Sequence, residues 1–447
     1  MKIICADHVL PVSAPPITGG AVAIEGSEIA AVGNAADLAE RYPHAEIENM
    51  GEAAIIPGLV NCHSHLEITA MRGLLDAVES DFRAWLLKLN DTRSGLSEAE
   101  IETAAIAGAV EGARAGVTFF GDVGRTAKAA LAALKTVGLR GIVYQETEFS
   151  PDSRTADDDL EKLREKFLEV REHASELVEA GISPHSPYTV SRRLFEKIAA
   201  LAAGENIKLS IHAAESLQEE NLLRYGEGFF IEVFAKFGLE WTSPKSSPIE
   251  FLAQTGILEA RPLLVHCVNV SAADIETVAA SGSGIAHCPR SNAKFGHGVA
   301  PLEAFLDAGI PAGLGSDSVA SNNVCGLLEE ACFAALVARN RADKKRFITA
   351  ADVLYAATLG GARAVGYDGR IGSLEAGKQA DLAIVSLAGI SQLPVNDVAA
   401  ALVFSSNARD VRSTIVAGRE IFREGRVTAV DEQELALALR SIAAKFA

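Results

Sequence analysis

The sequence predicts an α/β protein in which a (β/α)8 TIM barrel carries a small β-sandwich domain built from both ends of the chain. Three observations support this prediction. In the middle of the chain, short apolar runs alternate with long Ala-rich stretches of helical pattern, as in parallel α/β folds. Both ends read as short strands separated by turn residues. Histidine and acidic residues end the apolar runs, which is where the catalytic side chains of such barrels lie.

The length of the chain sets its division into domains. A chain of 447 residues is too long for one small core, but a barrel of about 250 residues with one satellite domain accounts for it. We place the β-sandwich domain in residues 1–56 and 366–447, and the barrel in residues 57–365. The strand-like segments of the two ends are KIICADHVLPV, GGAVAIEGSEIAAVG, AEIENMGEAAIIPG, DLAIVSL and STIVAGREIFREGRVTAV. A final amphipathic stretch, ELALALRSIAAKFA, is predicted to be a helix.

Eight apolar runs are the candidate barrel strands, and each is followed by a helical or loop segment, as a (β/α)8 barrel requires. In chain order they are AAIIPGLVNCHSH, VTFFGDV, GIVYQE, GISPHSPY, KLSIHAAE, PLLVHCV, SGIAHCP and PAGLGSD. The polar residues that end these runs are His63, His65, His185, His212, His266, His287 and Asp317.

Composition excludes several classes of partner. A net charge of -18 argues against a protein that binds nucleic-acid polymers, because such proteins concentrate Lys and Arg on one face. The six cysteines contain no CxxC pair and no disulfide-like spacing, which is typical of reduced thiols. Neither a signal peptide nor a membrane span is evident. We therefore expect a cytoplasmic protein with a small-molecule ligand and no membrane partner. Homo-oligomerisation stays open.

Four strand-end residues form a candidate metal site. The two-residue period of a strand turns His63 and His65 to the same face. An HxH pair alone is weak, since two buried core histidines would read the same. His212 and Asp317 supply further candidate ligands from other strands. Three imidazoles and one carboxylate suit Zn²⁺ first, with Fe²⁺ or Mn²⁺ as alternatives, and leave a position for water.

Several motifs together resemble the amidohydrolase superfamily, in the order that this family has them. They are PGLVNCHSHLE, SPHSPY, SIHAAES, LVHCVN, AHCPRSNAKFGHGVAPL and GLGSDSVASNN. The tail motif GSLEAGKQADLAIV is similar to the segment that returns these chains to their small β-sandwich. Within the superfamily, the resemblance is to the branch that contains S-adenosylhomocysteine deaminase, guanine deaminase and triazine chlorohydrolases.

The resemblance implies one divalent ion held by His63, His65, His212 and Asp317, since no lysine ends a strand where binuclear members carry a carbamylated bridge. Glu215 matches the glutamate that carries a proton to the ring nitrogen and then to the departing amine. His266 matches the histidine that polarises the attacking water, and Asp317 accepts the proton of that water. Without the resemblance, Glu215 would be read as a helix N-terminal residue stabilised by the dipole.

The resemblance also implies substrate contacts. His185 matches a histidine that touches the substrate, although a Pro-flanked histidine is also typical of a rigid loop. His287 corresponds to a pocket-lining segment or lies behind one. Trp85 is either a core residue or an aromatic wall. The remaining expected substrate-binding residues are Glu67, Arg72, Arg93 and Glu215, where the two arginines are predicted to grip an anionic tail of the substrate.

The predicted activity is therefore the metal-dependent deamination of a purine-type heterocycle. An adenosine-like nucleoside of the aminodeoxyfutalosine or S-adenosylhomocysteine/methylthioadenosine type is the first choice. Guanine or pterin deamination and triazine-type dechlorination are the alternatives, and Glu215 favours departure of an amine. A non-enzymatic barrel protein is disfavoured because no metal ligand is lost. S-adenosylhomocysteine deaminases carry a ribose-binding glutamate shortly after the tryptophan, whereas WLLKLNDTRSG contains none.

Overall fold

The computed structural model describes residues 1–446. Its seventeen strands divide into eight parallel strands from the middle of the chain and nine from the two ends. The strands are β1 (Lys2–Val9), β2 (Ile17–Glu25), β3 (Glu28–Asn34), β4 (Glu46–Asn49), β5 (Ala53–Pro57), β6 (Leu59–Ser64), β7 (Val117–Gly124), β8 (Arg140–Glu146), β9 (Val178–Ser183), β10 (Ser210–Ala213), β11 (Leu263–His266), β12 (Gly284–His287), β13 (Ala312–Leu314), β14 (Leu382–Ser386), β15 (Val411–Val416), β16 (Arg419–Arg423) and β17 (Arg426–Val427).

Helices follow most of the parallel strands and cover them from outside. They are α1 (Ala35–Arg41), α2 (Phe82–Ser94), α3 (Glu98–Arg114), α4 (Ala127–Val137), α5 (Ala156–Glu172), α6 (Arg192–Glu205), α7 (Leu217–Tyr225), α8 (Phe229–Lys236), α9 (Pro248–Gln254), α10 (Ala272–Ser281), α11 (Pro289–Lys294), α12 (Leu302–Asp307), α13 (Val319–Asn322), α14 (Leu327–Asn340), α15 (Ala350–Tyr355), α16 (Gly361–Ala364), α17 (Val398–Phe404) and α18 (Glu432–Ala443). Short 3₁₀ turns occupy Leu66–Met71, Asp76–Val78, Ile257–Ala260 and Ala408–Asp410, and a π-turn occupies Ala356–Gly360.

The eight parallel strands form two four-stranded sheets, β6-β7-β8-β9 and β10-β11-β12-β13. The sheets meet at two seams. At one, Ile182 pairs in parallel with Leu209, and at the other Ser64 pairs in parallel with Asp317. At this second seam the Asp317 amide donates a 2.9 Å hydrogen bond to the His63 carbonyl. The predicted barrel-type α/β class, with its separate sheet from the chain ends, is confirmed.

Each predicted barrel run contains a parallel strand, but the first run is shared between two sheets. Its segment Ala53–Pro57 pairs with β14 of the chain-end sheet, and only Leu59–Ser64 enters the barrel. Gly58 lies between them in close contact with Thr118, where an added Cβ would come within 2.1 Å of the threonine Oγ1. A glycine at this junction therefore lets the chain pass from one sheet to the other.

Both ends of the chain contribute to one nine-stranded sheet. Its order is β17-β16-β15-β14-β5-β1-β2-β3, with β4 paired to β1 beside β5. The amphipathic C-terminal stretch forms α18, which contacts α3 of the barrel. The division of the chain at residues 56/57 and 365/366 stays a prediction. None of the helices in residues 1–446 combines the length and hydropathy needed to span a lipid bilayer.

A buried ion pair joins the barrel to the chain-end sheet. Arg140, the first residue of β8, is fully buried, and its Nε donates to Asp381 Oδ2 at 2.9 Å. A second guanidinium nitrogen donates to Asp381 Oδ1 at 3.1 Å. Asp381 Oδ1 also accepts from the Ala417 amide at 2.8 Å. This pairing is bidentate and satisfied by further donors, which is the arrangement that makes a buried ion pair tolerable.

We expect Arg140→Leu to lower the free energy of unfolding by about 3–5 kcal/mol, because it leaves the Asp381 carboxylate buried without its partner. Arg171→Leu is the control, since its ion pair with Glu205 is solvent-exposed and contributes about 0–1 kcal/mol. Urea unfolding of both variants measures the difference. Equal destabilisation by the two substitutions would contradict the role given to Arg140.

Candidate active site

Three histidines converge at the carboxyl ends of the barrel strands. His63 lies in β6, His65 follows it, and His212 lies in β10. One ring nitrogen from each lies within 4.8 Å of those of the other two. The ring centroids of His63 are 4.7 Å from His65 and 4.8 Å from His212. The strand period therefore brings the HxH pair and a distant strand to one point, as expected.

Asp317 faces the same point from the other side of the seam. Its Oδ1 lies 3.6 Å from Nε2 of both His63 and His65. Its Oδ2 accepts hydrogen bonds from the hydroxyls of Ser291 at 2.5 Å and Ser321 at 3.0 Å. Asp317 has a φ of 56°, a left-handed conformation that non-glycine residues seldom adopt and that occurs at functional sites. The carboxylate is thus fixed with one oxygen directed at the histidines.

The residues present fit a divalent metal ion. His63 is fully buried, and neither of its ring nitrogens has a hydrogen-bond partner among residues 1–446. Burial lowers the pKa of His63 to about 4, so the ring is neutral and offers a lone pair at neutral pH. Unpaired buried nitrogens of this kind are costly unless a ligand satisfies them. Three imidazoles with one carboxylate form a donor set suited to a borderline divalent ion.

A second group of ligand-type atoms, from Glu146, His185 and His212, also lies within 4.8 Å of one another. It shares His212 with the first group. Nδ1 of His212 hydrogen-bonds to the His185 carbonyl at 3.1 Å, so this nitrogen carries the proton and only Nε2 is free to bind an ion. One nitrogen binds one ion, and we therefore assign a single metal position to the first group.

Glu215 lies just after β10, beside the histidine cluster. Its Oε1 is 3.6 Å from Nε2 of His266 and 3.7 Å from Nε2 of His297. Burial, together with the negative charge of Asp317, raises the pKa of Glu215 to about 8. The carboxyl group therefore keeps a proton over much of the neutral range, which suits a general acid.

His266 ends β11 and is held from behind. Its Nδ1 makes a 2.9 Å hydrogen bond with Oδ1 of Asn292, so Nδ1 carries the proton and Nε2 faces Glu215. Burial lowers the pKa of His266, which keeps the ring neutral. The residue has a φ of 75°. As at Asp317, a strained backbone at a strand end aims the side chain into the site.

A cavity of about 420 Å³ opens onto these residues. Its walls are rich in aromatic rings, and the Trp85 ring packs edge-on against Phe295 at 4.9 Å between centroids. The residues that line it include His65, Glu67, Ile68, Phe82, Arg83, Trp85, Leu86, Leu87, Leu89, Asn90, Arg93, Arg125, Glu146, Phe149, His185, Tyr188, Thr189, His212, Glu215, Phe229, Phe230, Val233, Lys236, Phe237, His266, Phe295, Asp317 and Ser318. An apolar cavity with a few convergent polar groups is typical of a small-molecule site.

Three of the predicted substrate contacts line this cavity in different ways. The His185 ring lies beside that of His212, and its Nδ1 is 2.8 Å from the hydroxyls of Ser186 and Thr189. Glu67 and Arg93 are ion-paired with each other. Glu67 also accepts hydrogen bonds from the amides of residues 125 and 126. The Arg93 guanidinium is therefore already engaged by Glu67, and its role in gripping an anionic tail stays a prediction.

Two residues that were predicted to contact the substrate do not line this cavity. Arg72 lies outside the cavity, where it pairs with Glu111 and donates to the Asn323 carbonyl. It lines a separate groove of about 800 Å³ between α3, α18 and the chain-end sheet, which contains none of the strand-end histidines. His287 is fully buried and does not line the cavity.

The sequence analysis missed three residues near the site. His297 lies against Glu215, and the AHCPRSNAKFGHGVAPL motif that contains it was the signal that could have identified it. Glu146 and Arg125 line the cavity. Glu146 is the last residue of β8 and Arg125 follows β7 directly, so the strand-end rule that selected the histidines and Asp317 applies to both.

Comparisons with known proteins agree with this geometry. Residues 54–421 match a sequence model described as the amidohydrolase family, and residues 20–45 match an imidazolonepropionase-like composite domain from bacteria. The 5-methylthioadenosine/S-adenosylhomocysteine deaminase of Moorella thermoacetica is 31% identical over 436 residues, which cover 97% of this chain and 97% of that protein.

Two solved structures resemble the whole chain. An adenosine deaminase from Xanthomonas campestris with bound zinc superposes with a TM-score of 0.86 at 28% identity, covering 100% of this chain and 98% of that one. An atrazine chlorohydrolase from Arthrobacter aurescens, complexed with zinc, gives a TM-score of 0.85 at 24% identity, covering 99% and 100%. The second likeness shows a shared fold alone, because proteins that share this shape act on different bonds.

We expect the purified protein to contain about one equivalent of divalent metal per chain, as a site with one set of ligands requires. His63→Ala should lower the metal content at least tenfold, because it removes a central ligand. His173→Ala is the control, since His173 is exposed on the far side of α5. Elemental analysis of the three proteins decides the assignment. Two equivalents in the parent protein, or full retention in His63→Ala, would contradict it.

Proposed function

The chain belongs to the amidohydrolase family, and on this premise we propose that it deaminates an adenosine-like nucleoside, with a divalent ion as cofactor. It is a hydrolase that acts on carbon–nitrogen bonds other than peptide bonds. One observation carries the proposal: the buried carboxyl group of Glu215 lines the same cavity as the candidate metal ligands, with its pKa raised to about 8. Loss of an amine needs such an acid beside the ring.

We assign the ion to His63, His65, His212 and Asp317, and Zn²⁺ is the ion that this donor set and the zinc-bound relatives favour. When bound, the ion supplies the nucleophile by lowering the pKa of a water molecule toward neutrality. The Asp317 carboxylate accepts the proton that this water gives up. Oδ2 of Asp317 accepts from Ser291 and Ser321 and Oδ1 from the Ser318 amide at 2.7 Å; we assign the proton to Oδ1 because this oxygen faces His63 and His65.

Glu215 acts on the substrate, and His266 acts on the attacking water. The protonated Glu215 donates to the ring nitrogen next to the amino-bearing carbon, which makes that carbon more electrophilic. The ionised Glu215 then takes the remaining proton of the added hydroxyl and carries it to the departing amine, so that ammonia leaves rather than an amide anion, and the proton held by Asp317 restores the acid. The neutral Nε2 of His266 accepts a hydrogen bond from the attacking water and orients it.

The cavity walls favour a flat aromatic ring with an apolar substituent. Trp85, Phe295 and Phe82 offer ring faces and edges on one wall, and α8 contributes Phe229 and Phe230 near the mouth. Because Arg72 is remote and Arg93 is paired with Glu67, an anionic tail has no free guanidinium pair to bind. We therefore propose a nucleoside whose 5′ substituent is apolar, such as a methylthio group, which the name of the Moorella relative also favours.

The alternative reactions lack a specific observation in their favour. Displacement of chloride from a triazine needs no proton on the leaving group. In that reaction the buried acid at Glu215 would have no leaving group to protonate. Cytoplasmic location and homo-oligomerisation stay predictions.

We expect Glu215→Gln to lower kcat at least about 100-fold, because the variant keeps the shape of the side chain and loses its transferable proton. Metal content should remain at the parent value, which separates this loss from that in His63→Ala. The control is Glu220→Gln, whose carboxylate pairs with Arg224 outside the cavity. Ammonia release measures all three proteins. Normal turnover by Glu215→Gln would remove Glu215 from the mechanism.

We expect methylthioadenosine to be deaminated with a kcat/KM about tenfold or more above that of adenosine, since burying a small apolar group contributes about 1–3 kcal/mol. Guanine, pterins and triazines should rank below both. Phe229→Ala should reduce the advantage of the methylthio group, while Phe347→Ala, which alters an exposed ring elsewhere, should not. A triazine or guanine that outperforms every nucleoside would refute the nucleoside assignment.

A further inference from the structure

Two glutamates line the cavity wall near the first barrel strands, and they differ in how their carboxylates are bonded. Glu67 is saturated, because it accepts from Arg93 and from two backbone amides. Glu146 is 5% exposed, yet its Oε1 is buried without a hydrogen-bond partner among residues 1–446. Buried carboxylate oxygens in a folded protein are normally bonded. Glu67 therefore supports the wall, whereas Glu146 presents an unused acceptor to the cavity.

The neighbours of Glu146 do not satisfy it. Nε2 of His185 lies 3.8 Å from Oε1, and Nε of Arg125 lies 3.5 Å from Oε2. The Nε of Arg125 is itself buried without an acceptor in the described chain. The wall thus holds an acceptor, Glu146 Oε1, and a donor, Arg125 Nε, side by side, and neither atom is hydrogen-bonded within the described chain. Both residues line the cavity, and a carboxylate oxygen of Glu146 lies within 4.8 Å of ring nitrogens of His185 and His212.

We propose that Glu146 determines specificity by accepting a hydrogen bond from a ribose hydroxyl of the nucleoside. This inference rests on the proposed function, because it concerns the sugar of the same substrate. The inference assigns ribose recognition to a glutamate at the end of β8. The segment after Trp85 contains no glutamate that could bind the ribose.

The chemistry of the substrate selects the hydroxyl as the donor. An adenine-type ring joined to a sugar has only acceptors on its ring nitrogens, apart from the amine that departs. An ionised carboxylate repels such an edge. A hydroxyl is both donor and acceptor, so one ribose hydroxyl can donate to Glu146 Oε1 while it or its neighbour accepts from Arg125 Nε. A vicinal diol therefore matches the unpaired acceptor and the unpaired donor together.

The charge state of Glu146 supports this pairing. Burial on its own would raise the pKa of Glu146, but interaction with His185, and next with the positive charge of Arg125, lowers it below its ordinary value. The carboxylate stays ionised at neutral pH and acts only as an acceptor. Hydrogen bonds to a charged acceptor are about twice as strong as neutral ones, so the loss of one hydroxyl has a large effect on binding.

The test compares a ribonucleoside with its 2′-deoxy and 3′-deoxy forms, which carry the same base and the same 5′ group. Deamination by the zinc-loaded protein gives kcat/KM for each. Calorimetric titration with purine riboside and its 2′-deoxy form, which lack the 6-amino group, gives dissociation constants without turnover. The variants are Glu146→Gln and Glu146→Ala, each checked for metal content. Glu148→Gln is the matched control, because Glu148 pairs with Lys166 outside the cavity at 2.7 Å.

We expect the parent protein and Glu148→Gln to prefer the ribonucleoside over at least one deoxy form by about 10- to 100-fold, the scale of a hydrogen bond to a charged group. Both Glu146 variants should lose this preference because their kcat/KM falls for the ribonucleoside and not for the deoxy forms. They should keep one equivalent of metal. The dissociation constants should change in the same direction.

Two outcomes would overturn the inference and leave the proposed function standing. One is equal deamination of all three nucleosides by the parent protein. The other is an equal loss of activity on ribo and deoxy substrates in the Glu146 variants, which would make Glu146 a support for His185. Failure to deaminate any nucleoside, with turnover of guanine or a triazine, would instead refute the proposed function and the inference together.

Discussion

The hydrogen bond from the Asp317 amide to the His63 carbonyl joins the last barrel strand to the first, and the candidate metal site depends on that seam. Two of the proposed ligands lie near the start of the barrel and one at its end, so they meet only when the strands close into a ring. The backbone at Gly315 lies very close to His63. At Gly315 an added Cβ would come within 2.8 Å of the His63 Cβ. A glycine before the aspartate is therefore part of the site, although it has no chemistry of its own.

Closing the ring buries a concentration of polar groups that water would otherwise solvate. His63, Asp317, Glu215 and His266 are nearly or fully buried, and two of them have left-handed backbone conformations. Such groups reduce stability unless a ligand or a partner satisfies them. The same desolvation keeps the imidazoles neutral and Glu215 protonated, which a solvated site would not do. The apolar core around the barrel thus compensates for the stability lost by burying these polar groups, whose reactivity depends on their desolvation.

The sequence predicted the barrel strands and the metal-binding histidines because both follow from local periodicity and from strand direction. The roles of residues beyond the strand ends were harder to predict from the sequence. Arg72 was predicted to bind the substrate together with Arg93, but its ion-pair partner Glu111 comes from α3, and no local sequence pattern specifies that pairing. His287 ends a strand like the others, yet it is fully buried and does not line the cavity. A rule about strand ends therefore selects candidate residues, whereas the exposure of each side chain to the cavity depends on packing between elements that are distant in sequence.

The fold alone leaves the substrate open, since a chlorohydrolase has nearly the same shape as this chain. What varies between such proteins is the set of side chains at strand ends and in the loops that follow them. In the function proposed for this chain, the acid at Glu215 favours the departure of an amine, and the aromatic wall favours a flat ring. Under the same proposal, Glu67 supports the cavity wall and Glu146 binds the ligand. Since every donor to Glu67 comes from the protein and Oε1 of Glu146 has none among residues 1–446, the hydrogen bonding of each carboxylate indicates its role more directly than its position in the sequence.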